Sequence, residues 1–228
     1  MLSRQRLSLE DLLKDHLTLA DRVFTIIERD ILSGSIKNGE RIIETEIAKK
    51  LGISKAPVRE ALKKLEGDGI VELLPRRGYI AKPVTLKSIH DFFDVMFLLE
   101  PAVAQLALRK KRESVCEEID KIIEQMQHSL KTEDYDSYLL LNEQFHGLFY
   151  KLIENGWITK ITQMLRKQAG ILRSLSLFTK DRFTSSIKEH MTIAEAYKKG
   201  DGKLLAKAVR FHLEMFKKNI LESNFLKR

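Results

Sequence analysis

The chain has one cysteine, four prolines and one tryptophan among 228 residues. With Cys116 alone no internal disulfide can form, so burial has to hold the fold together, as expected of a reducing cytoplasm. No apolar run approaches the roughly 18 residues that a membrane span requires. Glu10, Asp11 and Asp15 interrupt the leucines of residues 1–16, which argues against a signal peptide. That extension reads as an extra helix or an arm. After residue 83 the one proline is Pro101, which leaves the rest of the chain free to run as long helices. There is no internal repeat and no low-complexity tract. What is present is 43% hydrophobic and 32% charged residues, with a net charge of +8. The length suits two modest domains, and the charge suits a polyanionic partner.

The positive charge is concentrated. Residues 49–82 carry nine Lys/Arg against four Asp/Glu. Within that stretch, Leu51-Gly52-Ile53 separates a short helix, Glu44–Leu51, from a second one that begins at Ser54. Ser54 is an N-cap candidate whose hydroxyl can accept from a first-turn amide. Pro57 falls in the first turn, where its missing N–H breaks no helical bond. Val58, Ala61, Leu62 and Leu65 recur at i, i+3, i+4 and i+7 and define one buried face. Lys55, Arg59 and Lys63 are spaced four apart on another. A short helix, a tight turn and a second helix with cations outward is the helix-turn-helix pattern, in which the second helix reaches base edges. A plain amphipathic helix with a solvated basic face would show the same stripe, so the flanks decide. Upstream, Ala20, Val23, Phe24, Ile27 and Ile31 make a helical stripe that stops at Gly34. Downstream, Gly67 and Gly69 end the second helix. Residues 70–74 then suit a strand, Pro75-Arg76-Arg77-Gly78 a turn, and Tyr79-Ile80-Ala81 the return strand. This is a winged helix-turn-helix with two arginines at the wing tip.

Residues 20–82 resemble the DNA-binding domain of the GntR family of bacterial transcription regulators. The match runs through Gly39-Glu40-Arg41-Ile42, Ser54–Leu62 (SKAPVREAL), Leu65–Val71 and Arg77-Gly78-Tyr79. Asn38 stands where the family usually has proline, and Lys55 where it usually has arginine. Lysine keeps the charge but lacks the planar fork that grips guanine. The resemblance implies double-stranded operator DNA as partner, with Thr45, Ser54, Lys55, Arg59, Arg76, Arg77 and Gly78 as contact candidates.

Beyond Pro83 the pattern predicts helices at about 86–109, 114–131, 134–154, 157–175, 181–199 and 202–223. The basic run Arg109–Arg112 falls at a helix end, where cations suit the macrodipole. Of six histidines, His16, His90 and His128 have no partner at helical spacing and read as surface or cap residues. Asn142 and His146 are four apart on one face, near Phe145 and Phe149, so that face points inward. His190 lies on the fifth of these helices and His212 on the sixth. Inward imidazoles from three helices of a bundle can converge on one cation such as zinc or nickel. Each one singly is more often a hydrogen-bonded core histidine than a ligand, and periodicity alone does not bring them together.

Residues 86–228 resemble the all-helical FCD effector domain of the FadR branch of the same family. The matching segments are Leu98-Leu99-Glu100-Pro101, then Asn142, Phe145 and His146 leading to Asn155-Gly156, then Glu189-His190 with Ile193, Gly200-Asp201 and His212. The resemblance implies a divalent metal held by His146, His190 and His212, with Asn142 at a position where the family has aspartate. It implies a small carboxylate effector bound at that metal. Asparagine brings no negative charge, which implies weaker metal binding. Met96 stands where many members have a pocket arginine, so the effector pocket is either less cationic or takes its cation from Arg173.

The expected fold is therefore mainly α: a winged helix-turn-helix domain over residues 1–83, then an all-α bundle of six or seven helices over 84–228. The expected function is a ligand-responsive transcriptional repressor, homodimeric and cytoplasmic. A metal-dependent hydrolase is the competing class, but no HExxH or similar motif supplies a base beside the histidines. An architectural DNA-binding protein is a third, and it would need no large effector-like bundle.

Overall fold

The computed structural model describes residues 18–175 and 179–223. The chain divides into two compact units, Met1–Pro83 and Val84–Arg228. The 1–16 extension and His16 lie outside the described residues.

In the first unit α1 spans Leu19–Leu32, β1 Arg41–Ile42, α2 Glu44–Leu51, α3 Lys55–Gly67, β2 Val71–Leu74 and β3 Gly78–Ala81. Helix α1 opens on a capping box: the Asp21 amide donates to the Thr18 hydroxyl, and the Asp21 carboxylate accepts from the Thr18 amide. The same carboxylate takes a hydrogen bond from Lys64 Nζ at 2.5 Å, tying α1 to α3. The expected stripe packs against Val58, Ala61, Leu62 and Leu65, all fully buried, with Phe24 half-buried at its edge. Truncating Leu62 or Leu65 to alanine would cost about 2–5 kcal/mol, because a filled site would become a cavity. Gly52 ends α2 in the left-handed region, where a Cβ would be strained. Ser54 holds the N-cap backbone conformation, but its hydroxyl makes no cap hydrogen bond, which corrects that expectation.

A strand missed in the sequence, β1, is only two residues long, too short for a period-2 signal. It pairs antiparallel with β3, which pairs with β2, giving the order β1-β3-β2. Leu74 lies opposite Gly78, so Pro75-Arg76-Arg77 forms the wing tip. Arg76 has φ 61°, a left-handed conformation uncommon for a residue with a side chain.

Among the described residues the second unit has six helices: α4 Leu86–Leu108, α5 Glu113–Lys131, α6 Tyr135–Ile153, α7 Gly156–Leu175, α8 Lys180–Lys199 and α9 Gly202–Glu222. Their starts are fixed by polar caps: Thr85 for α4, Asp134 for α6, Thr179 for α8 and Asp201 for α9. Pro101 inside α4 has no N–H to give the carbonyl of Phe97, four residues earlier. Arg210 of α9 donates to that carbonyl at 3.2 Å instead. Cys116 is buried in the apolar core among Val115, Ile119 and Ala104. The basic run serves helix ends: Lys110 pairs with Glu154 at 2.8 Å, and Lys111 donates to the carbonyl of Lys198. No helix among the described residues is long and apolar enough to cross a membrane.

Candidate metal centre and DNA-reading surface

In the winged unit Thr45, Ser54, Lys55, Arg59, Arg76, Arg77 and Gly78 are all exposed. Arg59 is held from below. Its Nε and Nη2 donate to the Glu44 carboxylate at 3.2 and 3.0 Å, and Glu44 begins the preceding helix. That pairing pushes the Arg59 pKa up through its hydrogen bond to Glu44. Arginine has five N–H donors, so two taken by Glu44 leave three for a base edge or phosphate while the plane of the group is fixed. The sequence reading missed this contact because Glu44 and Arg59 lie 15 residues apart and meet only when α2 folds across α3.

In the helical unit, α6, α8 and α9 bring His146, His190 and His212 together, with one ligand nitrogen from each within 4.8 Å of the others. His190 and His212 are buried and His146 is half-buried. Phe145 stacks edge-on to both His146 and His190, which walls the cluster on one side. His90 and His128 are exposed, as expected of surface residues.

The partners of the ring nitrogens settle where the lone pairs are. His190 Nδ1 lies 2.8 Å from the carbonyl of Ser186, which can only accept, so Nδ1 carries the proton and Nε2 the lone pair. His212 Nδ1 lies 2.7 Å from Glu189 Oε2. Burial would raise the Glu189 carboxyl, but hydrogen bonds from His212 and Arg182 outweigh it and hold it below the usual glutamate value. Glu189 is thus ionised, His212 Nδ1 is the donor, and His212 Nε2 is the second lone pair. Arg182 closes the chain with two hydrogen bonds to Glu189, at 2.6 and 3.0 Å, in a pair almost wholly out of water. Burial pushes both the His146 and the His190 imidazole well below the usual histidine range, and their neighbours' charge adds to it. His212 is lowered too, by burial, with Glu189 partly opposing.

His146 Nε2 stands 3.2 Å from His190 Nε2. Since the latter is a lone pair, something electropositive belongs on that line: a proton on His146 Nε2 or a cation shared by both rings. Two nitrogens each 2.0–2.1 Å from one tetrahedral zinc would be about 3.3 Å apart. The donor set therefore fits a divalent ion: neutral imidazoles, lone pairs directed inward, and outer hydrogen bonds that fix two of the three tautomers. Asn142 is buried and lines a cavity of about 10 Å³ with His212, Arg173, Arg182, Ser186 and Phe216. Arg173 sits on that cavity. Met96 does not line it; it is buried in the apolar core with Val103 and Ala104. The Glu189–Arg182 support was also missed, although their seven-residue spacing on α8 puts them on one helix face.

A reading head with an exposed basic helix and wing, joined to a helical unit with a buried polar centre, defines a DNA-binding transcriptional regulator with an effector domain. The sequence pattern described as "Bacterial regulatory proteins, gntR family" matches residues 19–80, and that of the "FCD domain" matches residues 91–215. The gluconate operon transcriptional repressor of Bacillus subtilis is 31% identical over 193 residues, covering 82% of this chain and 79% of that protein. The transcriptional repressor RspR of Escherichia coli is 23% identical, covering 87% of each chain. Among solved structures, E. coli McbR/YncC shares the fold with a TM-score of 0.70 at 19% identity, over 90% of this chain and 96% of that one. The chain belongs to the gntR family, with an FCD effector domain.

Proposed function

We propose that the protein is a cytoplasmic repressor that binds operator DNA as a homodimer and is controlled by a small organic acid bound at a metal ion. One divalent cation, zinc or nickel, is held by His146, His190 and His212, with Asn142 as a weak oxygen donor. Bound there, the ion supplies a Lewis-acidic anchor for a carboxylate. Arg173 takes the remaining anionic charge. The observation that carries this reading is the convergence of three neutral imidazoles, two of them with the outer nitrogen already committed, to Ser186 and Glu189. The relative in B. subtilis is named for the gluconate operon, which makes gluconate a reasonable first ligand to try. The reading is of a regulator and not a hydrolase, because Glu189 is spent on Arg182 and His212 and is no free base for water.

On DNA, Arg59 reads a base edge from the start of α3. Lys55 and the wing arginines Arg76 and Arg77, beside Gly78, contact the backbone with Thr45 and Ser54. Paired half-sites ask for two such heads, and the helical unit joins them.

Native mass spectrometry of the purified full chain tests the three parts together. The expected result is a dimer carrying one divalent ion per subunit, with mass added on titration with gluconate or another carboxylate. Elemental analysis after dialysis against a weak chelator checks the ion separately. A metal-free dimer that still answers an organic acid would refute the metal and leave the histidines as hydrogen-bonding groups. Light scattering on a fragment from Thr85 onward, expected to be dimeric, locates the association.

A further inference from the structure

Beside the histidine centre lies a second polar group. Glu143 is on α6, between Asn142 and His146. Its carboxylate is shared by two arginines of α7: Arg166 Nη2 donates to one oxygen, and Arg173 Nη1 to the other at 3.1 Å. The Asn142 amide also reaches that second oxygen, at 3.4 Å.

The three side chains differ in how firmly they are held. Arg166 donates to the backbone carbonyl of Glu143 at 2.6 Å, and its guanidinium lies 5.3 Å from the centre of the Tyr150 ring. Arg173 lies 5.4 Å from the centre of the Phe216 ring. Neither anchor depends on the Glu143 carboxylate. The arginine side chains are 12% and 13% exposed, whereas that of Glu143 is 41% exposed. The carboxylate has a route into water; the guanidinium groups have none. Arg173 and Asn142 also line the small cavity with His212, so the site that Glu143 fills adjoins the metal centre.

We infer that Glu143 is an internal stand-in for the effector: its carboxylate occupies Arg166 and Arg173 until an incoming carboxylate displaces it into solvent. This rests on the effector reading above. It makes Glu143 a determinant of affinity and of charge selectivity. A ligand without a carboxylate cannot replace the lost ion pairs and is refused. A ligand with one exchanges like for like and is penalised only by the strength of the internal contact.

The test is calorimetric titration of zinc-loaded full-length protein with gluconate, glycolate and citrate in turn, for wild type, Glu143→Gln, Arg173→Ala and the Glu143→Gln/Arg173→Ala double variant. Glu143→Gln is expected to bind at least one of these carboxylates about tenfold more tightly than wild type, the size of one competing charge-assisted hydrogen bond. The double variant should lose that gain. If wild type binds and Arg173→Ala does not, yet Glu143→Gln is no tighter than wild type, the stand-in role is wrong while the carboxylate site survives. If none of the proteins binds any of the three acids, the effector reading fails and this inference with it. Circular dichroism checks folding. Should Glu143→Gln unfold, Glu143→Asp takes its place, since its shorter arm cannot span both guanidinium groups and should give a smaller gain of the same sign.

Discussion

In the winged unit Lys55, Arg59, Arg76 and Arg77 stand in solvent, on a helix start and a turn. In the helical unit His190, His212, Arg182 and Glu189 are almost entirely out of water, and each makes at least one hydrogen bond to another of the cluster or to the Ser186 carbonyl. Under the proposed function, the difference follows from what each surface would have to meet. A duplex arrives as a large, hydrated polyanion, and exposed cations release its counterions without being desolvated beforehand. A single ion or small acid has too little surface to impose order, so its site has to be built in advance, in a medium where charge and hydrogen bonds count for more. Losses in the first unit should therefore be modest and divided among many residues. Losses in the second should be large and concentrated.

The sharpest test of that contrast is Glu189→Ala. It leaves Arg182 charged in a buried place and unties His212, and it should cost about 3–5 kcal/mol of stability. Urea denaturation of the full chain measures it, and a loss under 1 kcal/mol would mean that water reaches the pair. His190→Ala removes a direct donor, so the affinity for a divalent ion should fall by at least about 100-fold, the upper end for outer partners. Gel shifts with a duplex selected by the wild-type protein should meanwhile change little, because the winged unit has its own core. Arg59→Ala should weaken DNA binding by about 1–3 kcal/mol and relax base preference at one position. Arg77→Ala should weaken all sequences alike and flatten the log–log salt dependence by about one. Equal effects of these two variants on base preference would erase the distinction between helix and wing.

Acid should separate the units by the smallest margin. Each histidine of the centre has a folded pKa below its unfolded value of about 6.5, so below that pH the unfolded chain binds more protons. The stability of the helical unit should then decline as pH falls from about 6.5 toward the depressed folded values. In the winged unit Asp21 is held at about 2 by Lys64 and Thr18. Its contribution is present above the unfolded carboxylate value and fades only as pH drops toward about 2. Denaturation followed separately at Trp157 in the helical unit and through hydrogen exchange of α1 and α3 should show the helical unit failing first. Simultaneous failure would remove the electrostatic difference between them.

Much of this was legible because it is local. The helix stripes, the glycine that stops α2 and the polar residues that start α4, α8 and α9 act within a turn or two, and each helix of the second unit begins and ends within about two residues of its expected position. The Ser54-to-Leu62 stretch carried its meaning in order along one helix. The short strand β1 was not visible, because two residues carry no period and it exists only where β3 lies alongside.

The residues alone determined two units, nine helices among the described residues, an exposed basic helix and wing, and an inward face for Asn142 and His146. Only the tertiary structure decided which nitrogens meet. It set His146 against His190 across helices 44 residues apart in the chain, gave Glu189 to His212 instead of to its neighbour His190, moved Met96 into apolar packing, and spent Glu143 on two arginines. Periodicity fixes which face of a helix is buried but says nothing about the rotation and height at which two helices pack. A shift of one turn, about 5.4 Å, exceeds the whole spread of ligand atoms in the centre.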